Sequence, residues 1–105
     1  MNHRPTDLGR FSDPAFAILT CLADGPKHGY AMIAESRDLG LELGLGTLYG
    51  ALNRLERLGL IEALPAEDRR RPYRLTPAGS AFYEEELERL GRVVQVGRAK
   101  LGVAS

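Results

Sequence analysis

Residues 46–61 read GTLYGALNRLERLGLI, and this stretch gives the strongest indication of the fold. Leu48, Leu52 and Leu55 recur at helical spacing, which predicts an amphipathic helix with one apolar face. Gly59 follows at the position where a helix commonly ends in a left-handed cap. The stretch therefore predicts one helix that buries its leucines against the rest of the domain.

The face opposite the leucines is polar, and it carries Thr47, Tyr49, Gly50, Asn53, Arg54 and Arg57. A helix with such a face can enter the major groove of DNA and donate hydrogen bonds to base edges and phosphates. Thr47 can also serve as a cap near the N-terminus of the helix. The same pattern is typical of solvated surface helices, so the elements on either side have to distinguish the two interpretations.

Length and composition fit one small folded domain. The chain has 105 residues, of which 44% are hydrophobic and 27% charged, enough for a single core. Its 14 basic and 14 acidic residues give no net charge. This balance argues against nonspecific coating of nucleic acid, but it is compatible with binding through a local basic patch.

The sequence lacks the residue patterns of an enzyme or a metal site. His3 and His28 lie far apart, and Cys21 is the only cysteine. A zinc site needs several such ligands at close spacing, and neither a nucleophile pattern nor a glycine-rich phosphate loop is present. We therefore expect no catalytic activity, no metal and no cofactor, and we expect His28 to cap or pack at the second helix.

The absence of a long apolar run argues against a membrane partner. A lone cysteine fits a reducing compartment, so the expected location is the cytoplasm.

Proline and glycine divide the chain into elements. Asp13-Pro14 predicts the start of a first helix, which Gly25-Pro26 ends. A second helix is expected from about residue 28 to residue 37, and a glycine-rich connector at residues 39–45 leads to the third helix. The inward side of the second helix is expected to consist of Tyr30, Ile33 and Ala34.

Two short β-like runs, residues 60–64 and 72–76, flank a charged loop and predict a β-hairpin. The loop and the returning strand carry Arg69, Arg70, Arg71 and Arg74. Guanidinium groups suit phosphate oxygens and narrow minor grooves, so these arginines are predicted to contact DNA. A solvated turn that is kept soluble by its charges is the alternative.

Three helices, a hairpin with a charged tip and a closing helix form a winged helix-turn-helix. The predicted fold class is therefore mainly α with a small β-hairpin. We expect a flexible arm at residues 1–12, a DNA-binding domain at residues 13–76 and a dimerisation helix at residues 77–105.

The last predicted helix has an apolar side that is wider than one small core needs. The residues expected at a dimer interface follow heptad spacing in part and are Phe82, Tyr83, Leu87, Leu90, Val94 and Leu101. Acidic residues predominate in its first half and basic residues in its second, so two such helices could pair antiparallel across a twofold axis. A helix that covers only its own domain is the alternative.

With these elements in place, the chain resembles the PadR family of bacterial transcriptional regulators. The likeness rests on Ile18-Leu19 through Leu22, Gly25-Pro26, His28-Gly29-Tyr30, the GTLY of residues 46–49 with Leu52 and Leu55, Gly59-Leu60-Ile61, and the YRLTPAG of residues 73–79. The short, solitary final helix is similar to that of the family's branch with an abbreviated C-terminal part.

The resemblance implies a homodimeric repressor. In such a protein Thr47 and Tyr49 would contact DNA, the arginines of the hairpin would bind phosphates, and the last helix would exchange contacts with the partner. It also implies a small aromatic or hydrophobic ligand near the dimer interface. A twofold dimer would require a near-palindromic operator in double-stranded DNA. A winged-helix module that binds protein and a ligand-sequestering protein are the alternative functions.

Overall fold

The computed structural model describes residues 13–102, so the predicted arm at residues 1–12 lies outside the described part. The elements follow in the order α1 (Asp13–Leu22), α2 (Gly29–Asp38), α3 (Leu45–Arg57), β1 (Ile61–Ala63), β2 (Tyr73–Leu75) and α4 (Pro77–Leu101). This order of three helices, a hairpin and a closing helix confirms the predicted winged helix-turn-helix. The division into an arm, a DNA-binding domain and a dimerisation helix stays a prediction.

The core lies between the first three helices and the base of the hairpin. Leu48, Leu52 and Leu55 of α3 are fully buried, together with Ile18 and Leu19 of α1. Burying one such side chain stabilises the fold by about 1.5–3 kcal/mol relative to leaving it exposed. The leucine face of α3 is thus confirmed, and it fixes which side of α3 faces solvent.

The predicted inward face of α2 is correct for Ile33, which is partly buried and packs against the core, but wrong for Tyr30 and Ala34. Tyr30 is 65% exposed and Ala34 is exposed, whereas the buried residues of α2 are Gly29, Met32 and Ser36. The reason is close packing at Gly29, where an added Cβ would lie 2.9 Å from the Tyr49 hydroxyl oxygen and 3.1 Å from Leu48 Cδ2. The small residue, rather than the large tyrosine beside it, therefore faces α3.

The ends of α3 differ in how well they were predicted. Its N-cap is Gly44, and no side chain caps it, so Thr47 lies within the first turn. At the other end Gly59 has φ +77, and its N–H donates to the Glu56 carbonyl at 3.0 Å. The Leu60 N–H donates to the Leu55 carbonyl at 3.0 Å, which completes a Schellman motif and confirms the glycine cap.

The hairpin, residues 61–75, is the wing of this fold. Its strands pair antiparallel with Glu62 opposite Arg74. Lys27, in the turn between α1 and α2, adds a third edge: its N–H donates to the Tyr73 carbonyl at 3.1 Å and its carbonyl accepts from the Tyr73 N–H at 2.9 Å. The base of the wing is therefore fixed directly to the residue that precedes His28.

The tip of the wing is a two-residue turn. Glu67 and Arg70 exchange two backbone hydrogen bonds of 2.6 and 2.8 Å. Asp68 and Arg69 between them have φ values of +49 and +67, as a type I′ turn requires. This turn places Asp68 and Arg69 at the tip and sets Arg70 at the start of the returning chain.

The start of α4 is joined to the end of α3. Thr76 caps α4 by accepting a hydrogen bond from the Gly79 N–H at 2.9 Å, and its hydroxyl donates to the Gly59 carbonyl at 2.7 Å. Gly79 is buried against Leu60. The first turn of α4 is thereby held close to the end of α3.

The next turns of α4 cover the chain's own core. Phe82 and Tyr83 pack against it, and the Tyr83 ring lies 5.2 Å from that of Phe16. The Tyr83 hydroxyl donates to Thr20 Oγ1 at 2.9 Å. These two residues, predicted for a dimer interface, have intrachain partners, so a dimer would use mainly the later part of α4.

Within residues 13–102, no helix is long and apolar enough to cross a membrane. The same range holds no group of three or more His, Cys, Asp or Glu side chains that could bind a metal ion.

Candidate nucleic-acid interface

The solvent-facing side of α3 carries the predicted DNA-contact residues. The exposed side chains there are Thr47, Tyr49, Asn53, Arg54 and Arg57, and Gly50 is exposed with them. They lie away from the buried leucines because each is one or two positions from a leucine, whereas residues that share a helix face are three or four positions apart. Asn53 directly follows the fully buried Leu52, so one helix presents an apolar face to the core and a hydrogen-bonding face to solvent.

Tyr49 joins this face of α3 to the start of α2. Its side chain is 45% exposed, and its hydroxyl lies against Gly29, where only a glycine leaves room for it. The hydroxyl therefore stands at the junction of α2 and α3.

Tyr73 lies beside this junction, and burial raises the pKa of its phenol. Tyr73 is thus a neutral, packed residue at the base of the wing.

The arginines of the wing fall into two groups. Arg69, Arg70 and Arg71 are exposed at or next to the tip. Arg74 is set apart because its Nε donates to Glu62 Oε2 at 2.6 Å across the two strands. Both side chains are about half exposed, so this pair adds at most about 1 kcal/mol to stability, but it offsets the charge of Arg74.

His28 is the residue that the sequence did not assign to this surface. It occupies the N-cap position of α2, yet its side chain makes no capping hydrogen bond. Its Nε2 instead lies 3.4 Å from Nη1 of Arg70, 42 residues along the chain. No local pattern could have indicated this contact, because it depends on how the wing folds back onto α2.

The turn before His28 is held by Lys27. Its ammonium group donates to the Cys21 carbonyl at 2.6 Å, binds the Asp24 carboxylate and lies 3.7 Å from Glu35 Oε1. The hydrogen bond to Asp24 raises the pKa of Lys27 and lowers that of Asp24. Lys27 is therefore a charged anchor of the turn, and it positions His28 beside the wing.

Cys21 and Ser36 form a small buried polar contact between α1 and α2. The thiol lies 3.9 Å from the Ser36 hydroxyl, and both side chains are fully buried. Burial raises the pKa of the Cys21 thiol, which keeps it protonated and unreactive. The predicted role of Cys21 as a buried helix cysteine agrees with this position.

Comparison with known proteins gives consistent matches. The model of the transcriptional regulator PadR-like family matches residues 18–85. An uncharacterized 37.1 kDa protein in transposon TN4556 of Streptomyces fradiae is 45% identical over 85 residues, which cover 80% of this chain but 25% of that protein. The transcriptional regulator Rv3488 of Mycobacterium tuberculosis is 41% identical over 88 residues, covering 78% of this chain and 82% of the relative.

A solved structure agrees with these sequence matches. The PadR family transcription regulator from Clostridium difficile is 26% identical and superposes with a TM-score of 0.76, over 84% of this chain and 97% of that one. The family match runs from α1 into α4, and so includes α3 and the wing. Members of this family are transcriptional regulators, a class of proteins that are generally not enzymes. The chain belongs to the transcriptional regulator PadR-like family.

Proposed function

We propose that this regulator binds operator DNA as a homodimer and represses transcription, with release by a small hydrophobic or aromatic ligand. The observation that carries the DNA-binding proposal is the polar face of α3, which is exposed away from the buried leucines. Arg70 of the wing contacts His28, the residue before the glycine against which Tyr49 of α3 lies. Such a helix can enter the major groove while the wing follows the backbone.

The side chains of α3 have complementary roles in this proposal. Asn53 can donate to and accept from an adenine edge, and Arg54 can pair with guanine. Thr47 and Tyr49 stand at the start of the helix, the end that contacts bases in helix-turn-helix proteins. Arg57 and the wing arginines would neutralise phosphates. The formal charge of zero for the whole chain is compatible with this, because binding depends on the local arrangement of charges.

Replacing Arg70 by Ala is expected to weaken binding to all DNA sequences about equally. A phosphate contact carries no base information, and its loss lowers the slope of log K against log salt by about one unit. The measurement is fluorescence anisotropy of a labelled duplex over a range of salt concentrations. The control is Glu84→Gln, which changes one exposed charge on α4, outside the wing. Lys27→Ala is unsuitable as a control because Lys27 anchors the turn before α2. An unchanged slope would remove Arg70 from the interface.

The dimer proposal is supported by apolar side chains that the domain itself does not cover. The exposed ones on α4 are Leu87, Val93, Val94, Val96 and Leu101. Helix α4 extends for 25 residues, well beyond the turn that packs on the core. Leu87, Val94 and Leu101 are seven residues apart and therefore share one side of α4. An exposed apolar band of this kind is typical of a protein–protein interface, and a twofold pairing would cover it on both copies. The same band would offer an apolar site for the proposed ligand.

Replacing Val94 by Glu is expected to dissociate the dimer, because it puts a charge in the middle of this apolar band. The expected loss is about 2 kcal/mol or more of dimerisation free energy. Sedimentation equilibrium of the variant and the unchanged protein measures this directly. Gln95→Glu is the matched control, since it adds the same charge one residue along, on the polar side of α4. Equal dimerisation of the Val94 variant and the unchanged protein would contradict the proposed interface.

A further inference from the structure

A cavity of about 370 Å³ lies between the start of α2 and the wing, and its lining consists of His28, Glu67, Asp68, Arg70 and Pro72. Its walls come from two elements that are far apart in sequence. One wall, at the start of α2, is fixed at its base by the backbone hydrogen bonds between Lys27 and Tyr73. The other wall is the tip turn of the wing, which is closed by its own backbone hydrogen bonds. The cavity is therefore a defined feature of the fold.

The hydrogen bonding of His28 is incomplete. Nε2 of His28 lies 3.4 Å from Nη1 of Arg70, at the outer limit of a hydrogen bond, and the arginine can only donate. The other ring nitrogen, Nδ1, is buried and has no hydrogen-bond partner among residues 13–102. A buried polar atom without a partner costs about 1–3 kcal/mol. The imidazole therefore has one long contact, and that contact is to a cationic side chain.

We propose that His28 and Arg70 together bind one backbone phosphate of DNA in this cleft, an inference that rests on the proposed function. A phosphate oxygen would replace His28 as the acceptor for Arg70, whose planar fork suits phosphate geometry. His28 would donate its Nε2 proton to the same phosphate. Both side chains would then donate to one anionic acceptor, in place of the 3.4 Å contact that they make with each other in the free protein.

The position of the cleft also suits a ligand that α3 holds. Gly29 follows His28 directly, and the Tyr49 hydroxyl of α3 lies against Gly29. The cleft thus begins one residue from the point at which α2 contacts Tyr49 of α3. One phosphate bound there would connect the helix that reads bases to the wing that follows the backbone.

Two acidic residues set a limit on this site and provide a test of its charge. Glu67 and Asp68 line the same cavity, so they would repel a phosphate. Replacing Asp68 by Asn removes one of these charges, and asparagine tolerates the φ of +49 found there. The variant is expected to bind DNA about threefold more tightly, since a surface charge interaction is worth up to about 1 kcal/mol. Weaker binding would show that the cavity does not take an anion.

A double-mutant cycle tests whether His28 and Arg70 act on the same phosphate. The variants are His28→Ala, Arg70→Ala and the double variant, all measured by anisotropy against one duplex. Each single change is expected to weaken binding about tenfold, as for a hydrogen bond to a charged group. In the His28→Ala background, Arg70→Ala is expected to cost no more than about threefold further, because coupled contacts are not additive.

Arg71→Ala is the matched control, because Arg71 is an exposed arginine next to Arg70 but does not line the cavity. The free-energy losses of Arg71→Ala and His28→Ala should be additive, so that their fold-losses in DNA affinity multiply. Thermal unfolding excludes a structural cause: the His28 side chain makes no capping bond, and its buried Nδ1 has no partner among residues 13–102, so its removal should not lower the unfolding midpoint.

Additive effects for His28 and Arg70, or an unchanged affinity of His28→Ala, would overturn the proposal. The proposal would also be overturned if inorganic phosphate competed with DNA while all variants bound DNA with equal affinity. The cleft would then bind free phosphate rather than the DNA backbone. These outcomes are separate from failure of the proposed function, which would appear as no DNA binding by the unchanged protein.

Discussion

Replacing Gly79 by Ala is expected to destabilise the fold by about 3 kcal/mol or more, at the upper end of the range for overpacking. A Cβ on Gly79 would lie 1.9 Å from the Leu60 carbonyl oxygen and 2.8 Å from its carbonyl carbon. Both are backbone atoms, so no side chain can rotate away. The Leu60 carbonyl also accepts the Thr76 N–H at 3.1 Å. The start of α4 would therefore have to move, and its packing on α1 would be lost.

Urea unfolding followed by circular dichroism measures this loss. Gly91→Ala is the matched control, because Gly91 lies on the same helix and an added Cβ there meets no atom within 4 Å. That change should stabilise the protein by about 0.5–1 kcal/mol, the difference in helix propensity between the two residues. If Gly79→Ala unfolded at the same urea concentration as the unchanged protein, the packing of α4 described here would be incorrect.

Replacing two neighbouring residues of α3 is expected to have different effects, because Leu52 lies on the buried face and Asn53 on the exposed face. Leu52→Ala is expected to cost about 2–5 kcal/mol of stability, because Leu52 is fully buried and its truncation leaves a cavity. Asn53→Ala is expected to change stability by no more than about 0.5 kcal/mol, because the side chain is exposed. Its effect should instead appear in operator affinity, with a loss of about 1–3 kcal/mol against the specific sequence.

Each variant is the control for the other. Unfolding measurements on both give the change in stability, and anisotropy with operator and scrambled duplexes gives the change in specificity. For Asn53→Ala, affinity for the scrambled duplex should remain close to that of the unchanged protein, because the lost contact is to a base. A loss that is equal on both duplexes would assign Asn53 to the backbone rather than to base recognition.

The success of sequence reasoning on α3 and its failure on α2 have the same physical cause. In α3 every buried residue is a leucine, so hydrophobic periodicity gives the correct phase. In α2 the buried residues are Gly29, Met32 and Ser36, two of which are small, and at Gly29 the helices approach too closely for a side chain. A pattern of large apolar residues points to Tyr30 instead, which lies in solvent. Periodicity works where the core is filled by bulk and fails where it depends on close contact.

The candidate site divides in a similar way. The polar face of α3 and the arginines of the wing could be predicted, because each lies within one element and has a recognisable local pattern. The Glu62–Arg74 pair depends on strand register, and the His28–Arg70 contact depends on the wing folding back onto α2. These are long-range contacts that the spacing of residues does not encode. They are also the contacts that distinguish Arg70 and Arg74 from the other arginines of the wing.

Binding to operator DNA shows most clearly whether this PadR-family chain is a sequence-specific DNA-binding regulator. Fluorescence anisotropy would compare the duplex upstream of the protein's own coding region with a scrambled duplex of equal length, each at two salt concentrations. We predict tighter binding to the upstream duplex, a steep loss of affinity at the higher salt concentration, and two protomers per duplex at saturation. No binding to either duplex at the lower salt concentration would contradict the account, and it would favour a winged-helix module that binds protein.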